Sequence, residues 1–186
     1  MIQRACRDGA WRSLDEVLNL SVQDFAQSRS EPYAWSWALC QFLDTHPQYQ
    51  DRFRALATIS EGDAFRRQLH ASFAEDRRRL AQEWELFSRS IEYGYDVERS
   101  AIDITPATPL ASGEPRTVRV SADRGWQCTG IQLEANATYR LTAAGEVTLA
   151  DEPKPWISQP PGVTIRYGGG RPLGRLLGVI LPVIRF

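Results

Sequence analysis

Residues 104–113 read Ile104-Thr105-Pro106-Ala107-Thr108-Pro109-Leu110-Ala111-Ser112-Gly113. Two prolines, which donate no backbone hydrogen bond, stand among small and polar neighbours, and this favours an extended connection over a helix or a ladder. The chain changes character across this stretch. Residues 1–112 carry 13 Arg, no Lys and 17 acidic side chains, a net −4, whereas residues 113–186 carry 8 Arg and 1 Lys against 6 acids, a net +3. The spacing of apolar residues changes with it, from a helical period before the stretch to alternation after it. The reading is a helical subdomain over 1–101, a linker over 102–113 and a β module over 114–186. The fold class is α+β: an N-terminal all-helical subdomain followed by an incomplete antiparallel β-sandwich.

N-terminal to the linker, Ser13 with Glu16 three residues on forms a capping box ahead of Leu14, Val17, Leu18 and Leu20. Glu31-Pro32 opens a longer helix, since proline fits a first helical turn. Trp35, Ala38, Leu39, Phe42 and Leu43 give it a broad apolar stripe. Pro47 ends it by pushing the preceding residue out of the helical region. Tyr49, Phe53, Leu56 and Ala57 form a third stripe, and Phe65, Leu69 and Phe73 a fourth behind Gly62-Asp63. A fifth helix covers roughly Glu75 to Tyr93, with Leu80, Trp84, Phe87 and Ile91 on one face. Asp76, Arg77, Arg78, Glu83, Glu85 and Arg89 fall on the other face, read as solvated.

C-terminal to the linker, β-rich runs at Thr117–Ser121, Trp126–Leu133, Thr138–Ala143, Val147–Leu149, Val163–Tyr167 and Leu176–Ile184 are separated by turn signals such as Asp123-Arg124-Gly125 and Gly168-Gly169-Gly170. Short strands at this spacing predict a sandwich or barrel, and six are few for closure.

The whole chain of 186 residues has a net charge of −1, with 42% hydrophobic and 24% charged residues. Near-neutrality argues against a general nucleic-acid binder, and no apolar run approaches the ~18 residues of a transmembrane helix. Arg4, Arg7, Asp8 and Arg12 interrupt any secretory core at the start, so the expected location is cytoplasmic by default. Cys6, Cys40 and Cys128 are odd in number and far apart, which argues against a disulfide framework or a zinc knuckle and reads as packed thiols.

The search for chemistry finds no catalytic set. His46 and His70 have no second imidazole at ligand spacing, and each reads as a structural or surface histidine, His46 as a cation suited to a helix end. No G-x-S-x-G is present. Gly168 to Arg175 lacks the G-K-[ST] ending of a phosphate loop. Asp151-Glu152 alone does not supply the oxygens calcium needs. Asn136-Ala137-Thr138 matches a glycosylation sequon but reads as a turn, and Arg77-Arg78-Arg79 as a helix face paired with nearby acids. No catalytic residue, metal ligand or cofactor is therefore expected.

Tyr33-Ala34-Trp35-Ser36-Trp37-Ala38-Leu39-Cys40-Gln41-Phe42-Leu43, then Tyr49-Gln50-Asp51-Arg52-Phe53 and the Leu80–Phe87 segment, resemble the C-terminal helical part of the gluzincin-like (peptidase MA-like) domain of the uncharacterised bacterial DUF1570 proteins. The resemblance covers about Leu14 to Tyr95 and implies a zinc metallopeptidase-like relative. The H-E-x-x-H region of that family lies upstream of the matching segment, so no ligand is carried over. Gly125-Trp126-Gln127-Cys128-Thr129-Gly130-Ile131, Tyr139 to Val147, Pro161-Gly162-Val163 and Pro172 to Leu177 resemble galactose-binding lectin modules of the PA-IL type over about Arg116 to Leu181. That implies a lectin-like β fold. The family's ligand loop lies further along, and its tyrosine ligand aligns near Leu149.

Together the resemblances imply the tail of a longer, exported protease-like protein, beginning after its zinc site and stopping within its β module, or else a short truncated reading frame. The expected function is a non-catalytic fragment or interaction module of such a protein, with the β half recognising a carbohydrate or cell-envelope component. Trp126, Trp156 and Tyr167, together with Tyr139, are the candidate stacking aromatics. The alternative is a metallopeptidase-family protein without its catalytic region. No nucleic-acid partner is expected. The apolar run Leu176 to Ile184 predicts self-association through a C-terminal strand. The linker should be the first site of proteolytic nicking. Limited proteolysis should release a fragment ending between about Ser100 and Gly113, and first cuts within Leu80–Ile91 would contradict the two-part organisation.

Overall fold

A computed structural model describes residues 1–28, 30–102, 104–168 and 170–181. Its helices are α1 (Ile2–Arg7), α2 (Leu14–Leu18), α3 (Val22–Gln27), α4 (Glu31–Thr45), α5 (Gln50–Arg54), which runs into a 3-10 turn (Ala55–Thr58), α6 (Gly62–Ser72), α7 (Arg77–Ser90) and α8 (Val97–Ser100). The capping box of α2 is present: Ser13 N–H donates to Glu16 Oε2 at 2.7 Å, and Glu16 N–H donates to Ser13 Oγ. A second box, Ser21 with Asp24, opens α3. The sequence reading missed it because Asp stands where the box usually has Glu or Gln. Helix α4 starts at Glu31-Pro32 and stops at Thr45, before the His46-Pro47 pair that cannot continue it.

Packing groups the described chain into two compact units. The first comprises Met1–Ala107 together with Val118–Gly130; the second comprises Thr108–Thr117 together with the chain from Ile131 onward. In the first unit, Trp35, Ala38, Leu39, Phe42 and Leu43 of α4 share one buried cluster with Leu80, Trp84 and Phe87 of α7, and Leu14, Val17, Leu56, Leu69 and Phe73 complete it. Trp84 is wholly buried, and its indole N–H donates to the Arg12 carbonyl at 3.1 Å. Trp11 Nε1 donates to Ser88 Oγ at 2.8 Å. These two bonds fasten the segment before α2 onto α7.

Several expected placements are corrected in this unit. Phe53 and Phe65 pack at the margin of the core and are only half-buried. Cys40 is exposed, because it lies on the outer face of α4 with Tyr33 and Trp37, at spacings of four and three, away from the inward stripe. Glu83, assigned to the solvated face of α7, is 3% exposed. It falls at i+3 from Leu80, inside the apolar stripe. Arg77 pairs with Asp15 and Arg79 with Asp76.

The β part is made of β1 (Thr108–Pro109), β2 (Ile131–Gln132), β3 (Val147–Ala150), β4 (Trp156–Ser158), β5 (Val163–Gly168) and β6 (Arg171–Leu173). β3 pairs antiparallel with β4, Val147 opposite Ser158, and β5 with β6, Val163 opposite Leu173. β1 and β2 pair in parallel over two residues each. Each sheet has two strands, and none closes on another through a ladder among the described residues. The chain is α+β, helices first, with an incomplete β part.

Three expected strands carry no ladder. At the end of 117–121 the Gln127 side chain takes both backbone groups of Ser121: its Oε1 accepts from Ser121 N–H at 3.0 Å, and its Nε2 donates to Ser121 C=O at 2.8 Å. At 138–143 Leu141 is 88% exposed and has no apolar layer to join. Over 176–181 the chain is tied at its start by Leu176 N–H donating to the Pro160 carbonyl at 2.9 Å, but no ladder follows. The rest of that expected strand, from Pro182, lies outside the described residues. Gly174 shows how closely the second unit is packed at one point: its φ is +72°, and a Cβ there would stand 2.6 Å from Ser158 Oγ.

Trp84→Ala should destabilise the first unit by about 3–5 kcal/mol, the usual cost of emptying a buried tryptophan site. Equilibrium urea unfolding checks this, and a loss below about 1 kcal/mol would contradict the placement of the core.

Candidate functional site

The C-terminal end of α4, the start of α5 and the middle of α7 bring ionisable groups together inside the first unit. His46, the residue that caps α4, is 1% exposed. Its ring stacks on Tyr49 with centroids 4.3 Å apart and meets the edge of Phe42 at 5.2 Å. Tyr49 donates its hydroxyl to Glu83 Oε2 at 2.6 Å. Arg79, one turn before Glu83 on α7, donates from Nε to the same hydroxyl at 3.3 Å and from Nη2 to Asp76 Oδ1 at 3.0 Å. Arg52 closes the outer side: Nη2 reaches Asp76 Oδ2 at 2.6 Å, Nη1 donates to the Ser72 carbonyl, and its guanidinium lies 4.9 Å from the centroid of Phe73. The chain of contacts runs from a buried imidazole to a half-exposed ion pair.

Burial governs the charge states. It pushes the Tyr49 hydroxyl far up, helped by the Glu83 charge and the hydrogen bond to it, so Tyr49 stays a donor. Burial pushes the His46 imidazole down to about 4, and the positive Arg79 adds to this. Glu83 Oε2, 3.4 Å from Nε2, would favour the imidazolium, but that carboxylate already accepts from Tyr49 and attracts Arg79. His46 is therefore neutral near pH 7, which corrects the expectation of a cation at the helix end. His70 lies half-buried in the last turn of α6, apart from this cluster.

The His46–Glu83 pair invites comparison with a zinc site, because a separation of 3.4 Å is close to that of two ligands ~2.0–2.2 Å from one tetrahedral ion. The tautomer argues otherwise. Gln48 N–H donates to His46 Nδ1 at 3.2 Å, so in the neutral ring Nδ1 is bare and Nε2 carries the proton. A protonated nitrogen facing the carboxylate cannot ligate a metal. Among the described residues, no group of three His, Cys, Asp or Glu is placed to hold an ion.

Trp126 belongs to the first unit and is half-buried. It borders a cleft of about 160 Å³ with Arg119, Arg124, Gln127 and Cys128. Burial alone would raise the exposed Cys128 thiol, but hydrogen bonds with Thr105 and Gly130 hold it below the usual value. Trp156 and Tyr167 belong to the second unit. Trp156 is half-buried on β4, with the Arg166 guanidinium 6.0 Å from its ring centroid. Tyr167, next to Arg166 on β5, is 61% exposed. Tyr139, the fourth aromatic, accepts a bond from Glu134 N–H at 2.8 Å and closes a local turn.

The buried cluster was missed because its members were read one at a time. The usable signal was Glu83, an acid inside the stripe Leu80, Trp84, Phe87, which requires a buried partner. No protein-family model, curated protein or solved structure matches this chain.

The His46 shift sets a pH dependence. The folded value of about 4 lies below the ordinary 6.5, so below pH 6.5 the unfolded chain binds a proton that the folded state refuses. Stability should fall as pH drops from 6.5 to about 4, by about 3 kcal/mol from this group, and level off below. Urea unfolding across that range checks it. His46→Phe, which keeps a ring against Phe42 and Tyr49, should flatten the slope relative to the unsubstituted protein.

Proposed function

We propose that this chain is a non-catalytic interaction module of a bacterial protease-like protein, with the β unit as its recognition surface and a carbohydrate or cell-envelope component as its partner. The observation that carries the reading is the apolar surface the β unit leaves in solvent. Leu141, Ile165 and Ile180 are 88%, 85% and 77% exposed, and Tyr167, Leu176, Leu177 and Val179 are exposed beside them in sequence. Isolated exposed apolar residues are ordinary, but so many in a unit whose sheets have two strands each, which are marginal alone in water, favour a surface that is covered in use. Tyr167 offers an open aromatic ring suited to stacking on a sugar, whereas the Trp156 ring already has a guanidinium near it. No helix among the described residues is long and apolar enough to cross a membrane.

The same apolar residues favour self-association through 176–181, where backbone groups without a ladder adjoin Leu176, Leu177, Val179 and Ile180. Calorimetric titration with galactosides, with and without calcium, tests the recognition reading. Binding heat that Tyr167→Ala removes is the expected result, and no heat under either condition contradicts it. Light scattering tests the association: Val179→Lys should lower the apparent mass at high concentration. A monomer that the substitution leaves unchanged would contradict self-association through this segment.

A further inference from the structure

Beside the ionisable cluster, the first unit has a small pocket of about 10 Å³, lined by apolar side chains that include Phe87, Val97 and Ile102, with His46, Glu83 and Ser100 also on its lining. His46 Nε2 is buried and, among the described residues, has no partner in hydrogen-bonding geometry. Glu83 Oε2 stands 3.4 Å away, but the N–H does not meet it as a hydrogen bond. Because Gln48 N–H occupies Nδ1, the proton on Nε2 is a fixed, buried donor on a residue that lines this pocket. Leaving a buried donor unsatisfied costs about 1–3 kcal/mol. A volume of this size admits about one water molecule and nothing larger, and a buried water is retained when polar groups can meet it.

We propose that this cavity is a binding site for one internal water, which accepts from His46 Nε2–H and donates to the Glu83 carboxylate. Bound there, the water replaces the direct imidazole–carboxylate bond that the 3.4 Å spacing does not make. It fixes the tautomer from the Nε2 side as Gln48 does from the Nδ1 side. It also extends the polar chain by one link, from imidazole through water to Glu83, Tyr49 and Arg79. The ligand class is small and neutral: a cation would face the imidazole proton, and an anion would face Glu83.

Solution NMR on the intact, nitrogen-15-labelled chain tests this. Long-range ring correlations should show His46 protonated at Nε2 and bare at Nδ1. Cross-relaxation between water and the Nε2 proton should give dipolar cross-peaks of opposite sign in the laboratory and rotating frames, the mark of a long-lived bound molecule. A cross-peak with the sign of chemical exchange alone, no cross-peak, or a proton on Nδ1 would each overturn the proposal. Val97→Leu, which adds a methylene to the cavity wall, should abolish the dipolar cross-peak and leave the tautomer unchanged; a cross-peak of undiminished intensity in a folded variant would overturn it as well. The measurement on the unsubstituted protein decides the question if that variant does not fold.

Discussion

Trp84 holds the helical unit together. Its ring lies within 6.1 Å of Trp35, 6.3 Å of Phe42 and 5.7 Å of Phe87, measured between centroids, so α4 and α7 meet through one aromatic knot. Its indole N–H would carry a desolvation cost in that position without a partner. The Arg12 carbonyl supplies one at 3.1 Å, and in doing so it brings the chain before α2 onto the same core. The remaining helices are short, and most would be marginal in isolation. They persist because each contributes apolar side chains to the surface that α4 and α7 build.

The ionisable cluster follows from that constraint. Once α7 presents Leu80, Trp84 and Phe87 inward, Glu83 is carried inward with them, since it shares their face. Tyr49 meets it with a hydroxyl, His46 approaches from the end of α4, and Arg79 balances the charge from one turn earlier on α7. Tyr49 and Glu83 are tolerated at this depth because the hydroxyl of one donates to the carboxylate of the other. The arrangement fixes where α4 ends and α5 begins more sharply than apolar contact alone would, because hydrogen bonds have direction.

How much of this was legible varied with how local the physics was. The helix from Glu31 to Thr45 could be read because proline and the apolar period both act within a turn or two. The Ser13–Glu16 cap was legible for the same reason, whereas the Ser21–Asp24 cap was hidden by an unusual third residue. Glu83 went to the wrong face because a charged residue was counted as solvated before its position in the stripe was weighed. In the β part, composition marked Val147, Val163 and their neighbours as strand-forming. It could not say which segments would find a partner strand, because pairing depends on residues far apart in sequence. Thr117–Ser121 is the instructive case: a β-rich run without a ladder, whose last residue, Ser121, gives its backbone N–H and C=O to the side chain of Gln127. Of the candidate stacking aromatics, Trp126 packs with the helical unit, while Trp156 and Tyr167 stand in the β unit.

The account makes the aromatic knot between α4 and α7 the most stable part of the molecule and the two-stranded sheets the least. Amide hydrogen exchange followed residue by residue reads that ordering directly. The amides of Leu39, Phe42, Trp84 and Phe87 should be the slowest to exchange, with those of 138–143 and 177–181 exchanging near the rate of an unstructured chain. Protection in 177–181 equal to that of α7 at low protein concentration, where association is absent, would contradict the account.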